Sequence, residues 1–263
     1  MDYTEKIIEE VFALGNTDLA RRQQSFLKAV PGGYGEGDKF IGTTVPQLRG
    51  VAKKYAKLTG LGEISALLDS PWHDLRFVAL VLLNRLCAVS ANIFPFERRK
   101  LLWSETQTLP VSPEDVDYAH CLGLYLARKK AVNNWDLVDV SAHIALGPAI
   151  YHNVVDSKGA LLLDNLAGSG WLWTERMSVV STWYAIKKDE YSYTLRLAKY
   201  FLKHKHDLMH KACGWMLREV GKRNRDVLSD FLESYATQMP RTMLRYAIEH
   251  YGPAQRAHYM HRL

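Results

Sequence analysis

The chain has little cysteine: three in 263 residues, Cys87, Cys121 and Cys213, each in an apolar helical context. That excludes a disulfide framework, and the scatter excludes a cysteine-based zinc cluster. The expected compartment is the reducing cytoplasm. Long hydrophobic runs are missing too. The longest unbroken one, Phe77 to Leu83, is far below the roughly 20 residues needed to span a bilayer, so no membrane partner is expected. The opening MDYTEKIIEE is acidic where a secretory leader would be basic and then apolar. Strand signals are scarce, with no Asn-Gly or Asp-Gly pair and only short period-two alternation. Neither phosphate-binding glycine pattern occurs, and GGYGEG lacks the preceding strand that a nucleotide fold requires. A Gly-x-Ser-x-Gly nucleophile elbow is also absent.

What remains has the composition of a globular protein, 48% hydrophobic and 24% charged. Its net charge of +6 is unevenly spread. Residues 191–263 hold 13 Lys and Arg against 6 Asp and Glu, while the remainder holds 21 against 22. Six of the ten histidines lie in the same segment. A basic segment of this kind fits a polyanion partner, most simply nucleic acid, or equally a solvated basic surface.

Apolar residues recur at helical spacing along the whole chain. The expected helices are 3–14, 18–29, 46–58, 62–69, 72–89, 96–107, 114–129, 134–144, 173–187, 190–203, 206–222, 224–237 and 241–250. Several starts are marked: Asn16-Thr17-Asp18 by capping oxygens, and Thr44-Val45-Pro46 and Ser112-Pro113-Glu114 by an early proline. The longest stretch of little helical character is the glycine-rich segment from Val30 to Thr44. No shift in composition marks a boundary, so residues 1–263 are expected to form one domain.

Three segments share a frame: HDLRFVALVLLNRL (73–86), HDLMHKACGWMLREV (206–220) and PRTMLRYAIEHY (240–251). WTERMSVVSTWYAI (173–186) fits as a fourth. In the first two, an alanine follows the leucine of His-Asp-Leu by four positions. Small residues at one fixed place let stacked helices approach, as in repeats of HEAT type. The expected fold is therefore all-α: a single solenoid of HEAT-like antiparallel helix pairs with a concave, partly basic face.

Tryptophans concentrate between Trp135 and Trp215. In NNWDLVDVSA, residues 133–142, Trp135 and Asp139 lie at i and i+4 on one helix face. A carboxylate sharing a stripe with a tryptophan is not a core pattern unless something pairs it. Asp136 is read as a half-exposed residue serving the N-terminal dipole. Arg176 takes an inner repeat position, and Trp215 is followed one turn later by Arg218. The run Gly221-Lys222-Arg223-Asn224-Arg225 between two helices is read as a phosphate-contacting turn. His206 and His210, at i and i+4, have no convincing third ligand, so no metal is expected.

Taken in order, FIGTTVPQLRGVAKK (40–54), NNWDLVDVSA, WTERMSVVS (173–181) and ACGWMLREVGKRN (212–224) resemble the AlkD-type DNA alkylation repair glycosylases, which are HEAT-like proteins removing N3- and N7-alkylated purines. The resemblance runs from about residue 20 to 250. It implies that Asp139 is the catalytic aspartate, with Trp135, Trp215 and Arg176 completing the central constellation. It departs at the family's N-terminal tyrosine, where Phe26 keeps the ring and loses the hydroxyl, with Tyr34 as the alternative. Phe26, Arg218, Lys222, Arg223 and Arg225 are the expected DNA contacts.

The chemistry suits these residue types. A cationic alkylpurine leaves as a neutral base, so no general acid is needed. One carboxylate stabilises the sugar cation and positions water, where glycoside hydrolases commonly use two. The implied function is a DNA glycosylase acting on alkylated duplex DNA as a monomer, without cofactor. Two rivals use the same fold: a DNA-binding paralogue without chemistry, and a protein-interaction scaffold.

Overall fold

The computed structural model describes residues 3–94, 116–154 and 161–261. The expected helix 96–107 and the expected start at Ser112-Pro113-Glu114 lie outside them. Among the described residues the regular structure is helical. An isolated β bridge joins Lys39 and Trp72.

The helices gather into two compact units, Met1–Ser141 and Ala142–Leu263. The first contains α1 (Thr4–Ala13), α2 (Thr17–Phe26), α3 (Val45–Tyr55), α4 (Leu61–Leu68), α5 (His73–Ile93), α6 (Tyr118–Ala127) and the first turns of α7 (Trp135–Ala145). In the second, α8 (Gly147–Tyr151), α9 (Leu162–Ala167), α10 (Leu172–Ser181) and α11 (Trp183–Ile186) follow the end of α7. Then come α12 (Ser192–Tyr200), α13 (Asp207–Arg223), α14 (Arg225–Tyr235), α15 (Arg241–Ala247) and α16 (Pro253–His261).

Local chemistry explains several boundaries. The Asn16 side chain accepts from Leu19 N at 2.9 Å to start α2, and Thr44 with Gln47 closes a capping box on α3. Several expected helices are shorter than their periodicity predicts, two of them for visible reasons. Residues 18–29 stop at Phe26 because Lys28 takes a left-handed conformation, φ 55°. Residues 173–187 break between α10 and α11. There the Ser181 and Thr182 hydroxyls bond back to the carbonyls of Ser178 and Val179, at 2.8 and 2.7 Å, in competition with the helical ladder. The short α8 and α9 and the polar α16 carry too little apolar period to be expected.

Each unit is organised around one long helix, and both of these helices begin with the shared His-Asp-Leu frame. In the first, α5 packs against α1, α3, α4 and α6. In the second, α13 packs against α10, α11, α12, α14 and α15. The matching alanines, Ala79 and Ala212, are fully buried. By length and composition alone α5 could cross a membrane. Its buried His73, Asp74, Arg76 and Asn84, each held by polar partners, mark it instead as a core helix.

Candidate functional site

In the first unit the site residues gather at the start of α7. Asn134, fully buried, caps the helix: its Oδ1 accepts from Trp135 N at 2.8 Å and its Nδ2 donates to Leu27 O at 3.0 Å. The Trp135 ring is half-buried against Leu27, Ala29 and Phe40. Phe26, 68% exposed, meets it edge-on with centroids 5.7 Å apart. An apolar ring so exposed at a helix end is unusual for a core residue. The structure thus brings together two of the rings expected from sequence.

Asp139 lies one turn beyond Trp135 and is half-buried. Burial raises the nearby Tyr125 hydroxyl far above the usual phenol range, opposed by its contact with Ser141 and reinforced by the Asp139 charge. Tyr125 is held at 2.9 Å by Ser141, whose hydroxyl donates to Leu137 O within α7. Asp139 therefore sits beside the buried, hydrogen-bonded Tyr125, at the margin of a low-dielectric core.

The reading of Asp136 needs correction. It does more than serve the helix dipole: its Oδ2 lies 2.8 Å from Nε2 of the buried His73. The other ring nitrogen, Nδ1, is 3.0 Å from Asp38 Oδ2. Asp38 also accepts from Arg76 at 2.7 Å and from Asn133 at 2.8 Å. Burial alone would raise the Asp38 carboxyl, but His73, Arg76 and Asn133 outweigh it and hold its pKa below the ordinary value. His73 and Asp38 were not among the expected site residues. The available signals were the His-Asp-Leu frame and the aspartate closing the glycine-rich segment.

In the second unit, Arg176 is only 4% exposed and donates to Leu208 O in the first turn of α13. It braces α10 to α13, an engagement that sequence did not indicate. Trp215 is half-buried two turns further along α13 and belongs to a row of rings. Trp183 lies edge-on to it at 5.4 Å, and His143 lies 4.7 Å beyond Trp183. Lys187 Nζ sits 4.2 Å from the Trp183 centroid. Burial lowers the Lys187 pKa, opposed by the charge of Glu219. The Trp215 indole N–H donates to Glu219 at 3.2 Å, and Glu219 also accepts from Lys222 at 2.8 Å.

The expected phosphate contacts all have intramolecular partners. Arg218 pairs with Glu249, and Arg223 grips Asp189 at 2.8 and 3.2 Å. Arg225 lies 4.2 Å over the Tyr251 ring and donates to His250 O. Lys222, Arg223 and Arg225 are nevertheless exposed, and pairs of this kind are weak enough to exchange for a phosphate. Of the two histidines weighed as metal ligands, His206 accepts from Leu208 N as the cap of α13. His210 Nε2 bonds His204 O at 2.5 Å.

The family model described as DNA alkylation repair enzyme matches residues 7–251. A solved structure titled "Predicted DNA alkylation repair enzyme from Enterococcus faecalis" is similar in fold, with a TM-score of 0.60 at 14% identity. The match covers 91% of this chain and 97% of that one. No curated protein matches the sequence.

Proposed function

The chain belongs to the DNA alkylation repair enzyme family, and from that premise we propose that it is a DNA N-glycosylase that hydrolyses the bond between deoxyribose and a cationic N3- or N7-alkylated purine in duplex DNA. The observation that carries this reading is the start of α7: the half-buried carboxylate of Asp139 one turn from the half-buried ring of Trp135, with exposed Phe26 against that ring.

In this reading the glycosidic bond breaks with its electron pair moving to the purine, which leaves neutral. The sugar is left as an oxocarbenium-like cation. Asp139, at the edge of a low-dielectric core, stabilises that charge and orients the water that adds to C1′, whose proton passes to the carboxylate or to solvent. The Trp135 face attracts the developing cation and packs on the sugar. Phe26 extends that surface for stacking without the hydroxyl of a tyrosine.

Residues of the second unit serve affinity. The Trp215–Trp183 row offers aromatic faces, and Lys222, Arg223 and Arg225 exchange their carboxylate, carbonyl and ring partners for phosphates. Arg176 contributes first by holding the start of α13 and only through its small exposed surface to a phosphate.

The test is to incubate the protein with methylated duplex DNA and measure the purines released. Base release by the wild type, reduced about a hundredfold or more in Asp139→Asn at unchanged DNA affinity, is expected. Binding without release at any enzyme concentration would leave only a DNA-binding role.

A further inference from the structure

The glycine-rich segment and His73 have no part in the chemistry just described, yet they converge on the helix that supplies Asp139. Four observations tie residues 27–40 to the start of α7. Asn134 donates to Leu27 O, and Asn133 donates to Asp38. Trp135 packs on Leu27, Ala29 and Phe40. His73 stands between Asp38 and Asp136, at 3.0 and 2.8 Å. Gly35 allows the approach: a Cβ there would lie 2.5 Å from Leu27 O and 2.8 Å from Asn134 Nδ2.

A neutral imidazole has one N–H and one lone pair, so it cannot donate to both carboxylates. Two acceptors in hydrogen-bond contact, one on each nitrogen, require the protonated ring. The charged groups around it are Asp38 from the glycine-rich segment, Asp136 from α7 and Arg76 from its own helix. Asp74, the next residue, turns its carboxylate to Ile41 and Thr43 instead. Phe40 stacks on the ring at 4.9 Å. The set of two carboxylates and two cations is balanced only while His73 carries its proton.

We infer that His73 is a positioning residue: as an imidazolium clamped between Asp38 and Asp136, it fixes the first turn of α7 and with it the placement of Trp135 and Asp139. This rests on the glycosylase reading for its effect on rate, though not for the clamp itself. Burial disfavours the charge, but the two carboxylates prevail and raise the His73 pKa to about 9. Loss of the proton turns one carboxylate toward a lone pair, a repulsion that the first turn of α7 relieves by shifting. A displacement of about 1 Å in a catalytic group costs on the order of a hundredfold in rate.

The experiment compares the wild type with Asp136→Asn and His73→Gln. Asp136→Asn is the milder change because Asp38 keeps Arg76. Base release from methylated DNA is measured from pH 6 to pH 10 under saturating and limiting DNA. The wild type is expected to lose kcat as pH rises through about 9, with KM little changed. Asp136→Asn is expected to lower kcat tenfold or more and to move that alkaline limb down by at least one pH unit, while its melting transition stays above the assay temperature. A folded Asp136→Asn with wild-type kcat and an unmoved limb would overturn the inference. Imidazole 15N shifts and hydrogen exchange at amides 133–139 read the clamp without catalysis. His73 titrating below pH 7, or unchanged exchange in both variants, would refute it even if the wild type is active. Should the wild type release no base, these measurements still decide the clamp, and only the glycosylase reading fails.

Discussion

Raising the pH should destabilise the first unit through a single buried proton. His73 has an ordinary pKa of 6.5 and one of about 9 in the folded chain. A group whose pKa is raised by folding stabilises the native state fully below its unfolded value and loses that contribution as pH climbs to its folded value. The window is therefore pH 6.5 to 9. The difference between the two values corresponds to about 3 kcal/mol, a large share of the stability of a domain this size. Urea unfolding at pH 6.5 and at pH 9.5, with hydrogen exchange followed on peptides from α5 and α7, reads it. The wild type should lose about 3 kcal/mol between the two conditions, concentrated in those peptides. His73→Gln, less stable throughout because it leaves buried Asp38 with fewer partners, should lose much less across the same window. Comparing the two proteins removes the cysteines and other groups that titrate nearby. Equal pH dependence in both would show that His73 is not the group responsible.

Glycine substitutions should separate close helix approach from helix propensity. Gly214→Ala puts a Cβ 2.5 Å from Met243 O and 2.6 Å from Tyr246 Cβ, so thermal unfolding should register a loss of about 1–3 kcal/mol. Gly50→Ala, inside α3 with nothing within 4 Å of its Cβ, should instead gain about 0.5–1 kcal/mol. The cations in the last turn of α13 are tested by salt. Lys222→Ala and Arg223→Ala should weaken DNA binding equally across sequences and flatten the slope of log affinity against log salt by about one per lost phosphate contact. A slope identical to that of the wild type would show that these residues keep Glu219 and Asp189 when DNA is bound.

Helical content and the two organising helices were legible because they rest on local rules: apolar period, capping oxygens, and an alanine at a fixed distance from a leucine. The Trp135–Asp139 stripe was legible for the same reason, since i and i+4 share a face in any helix. What stayed hidden depends on distant partners. The break at Thr182 is made by hydroxyls whose bonding direction periodicity does not encode. The acceptor of Arg176 is a carbonyl 32 residues away, which no local pattern encodes. Arg218, Arg223 and Arg225 read as open phosphate contacts because Glu249, Asp189 and Tyr251, which engage them, lie far off in the chain.

The His-Asp-Leu frame shows where this boundary falls. His73 and His206 open equivalent helices, α5 and α13, with the same three residues. The first lies between two carboxylates brought from 35 residues before and 63 after it, and its pKa rises to about 9. Burial lowers the pKa of the second, reinforced by His204, His210 and Arg176 and opposed only by Asp207. It accepts a backbone N–H, which requires the unprotonated nitrogen. A shared local pattern therefore starts both helices, while charge delivered by other segments decides that one histidine is an ionic clamp and the other a neutral cap. That is why Asp136, one position from Trp135, could be read from sequence as a dipole residue and yet be, in the folded chain, half of the clamp on the proposed catalytic helix.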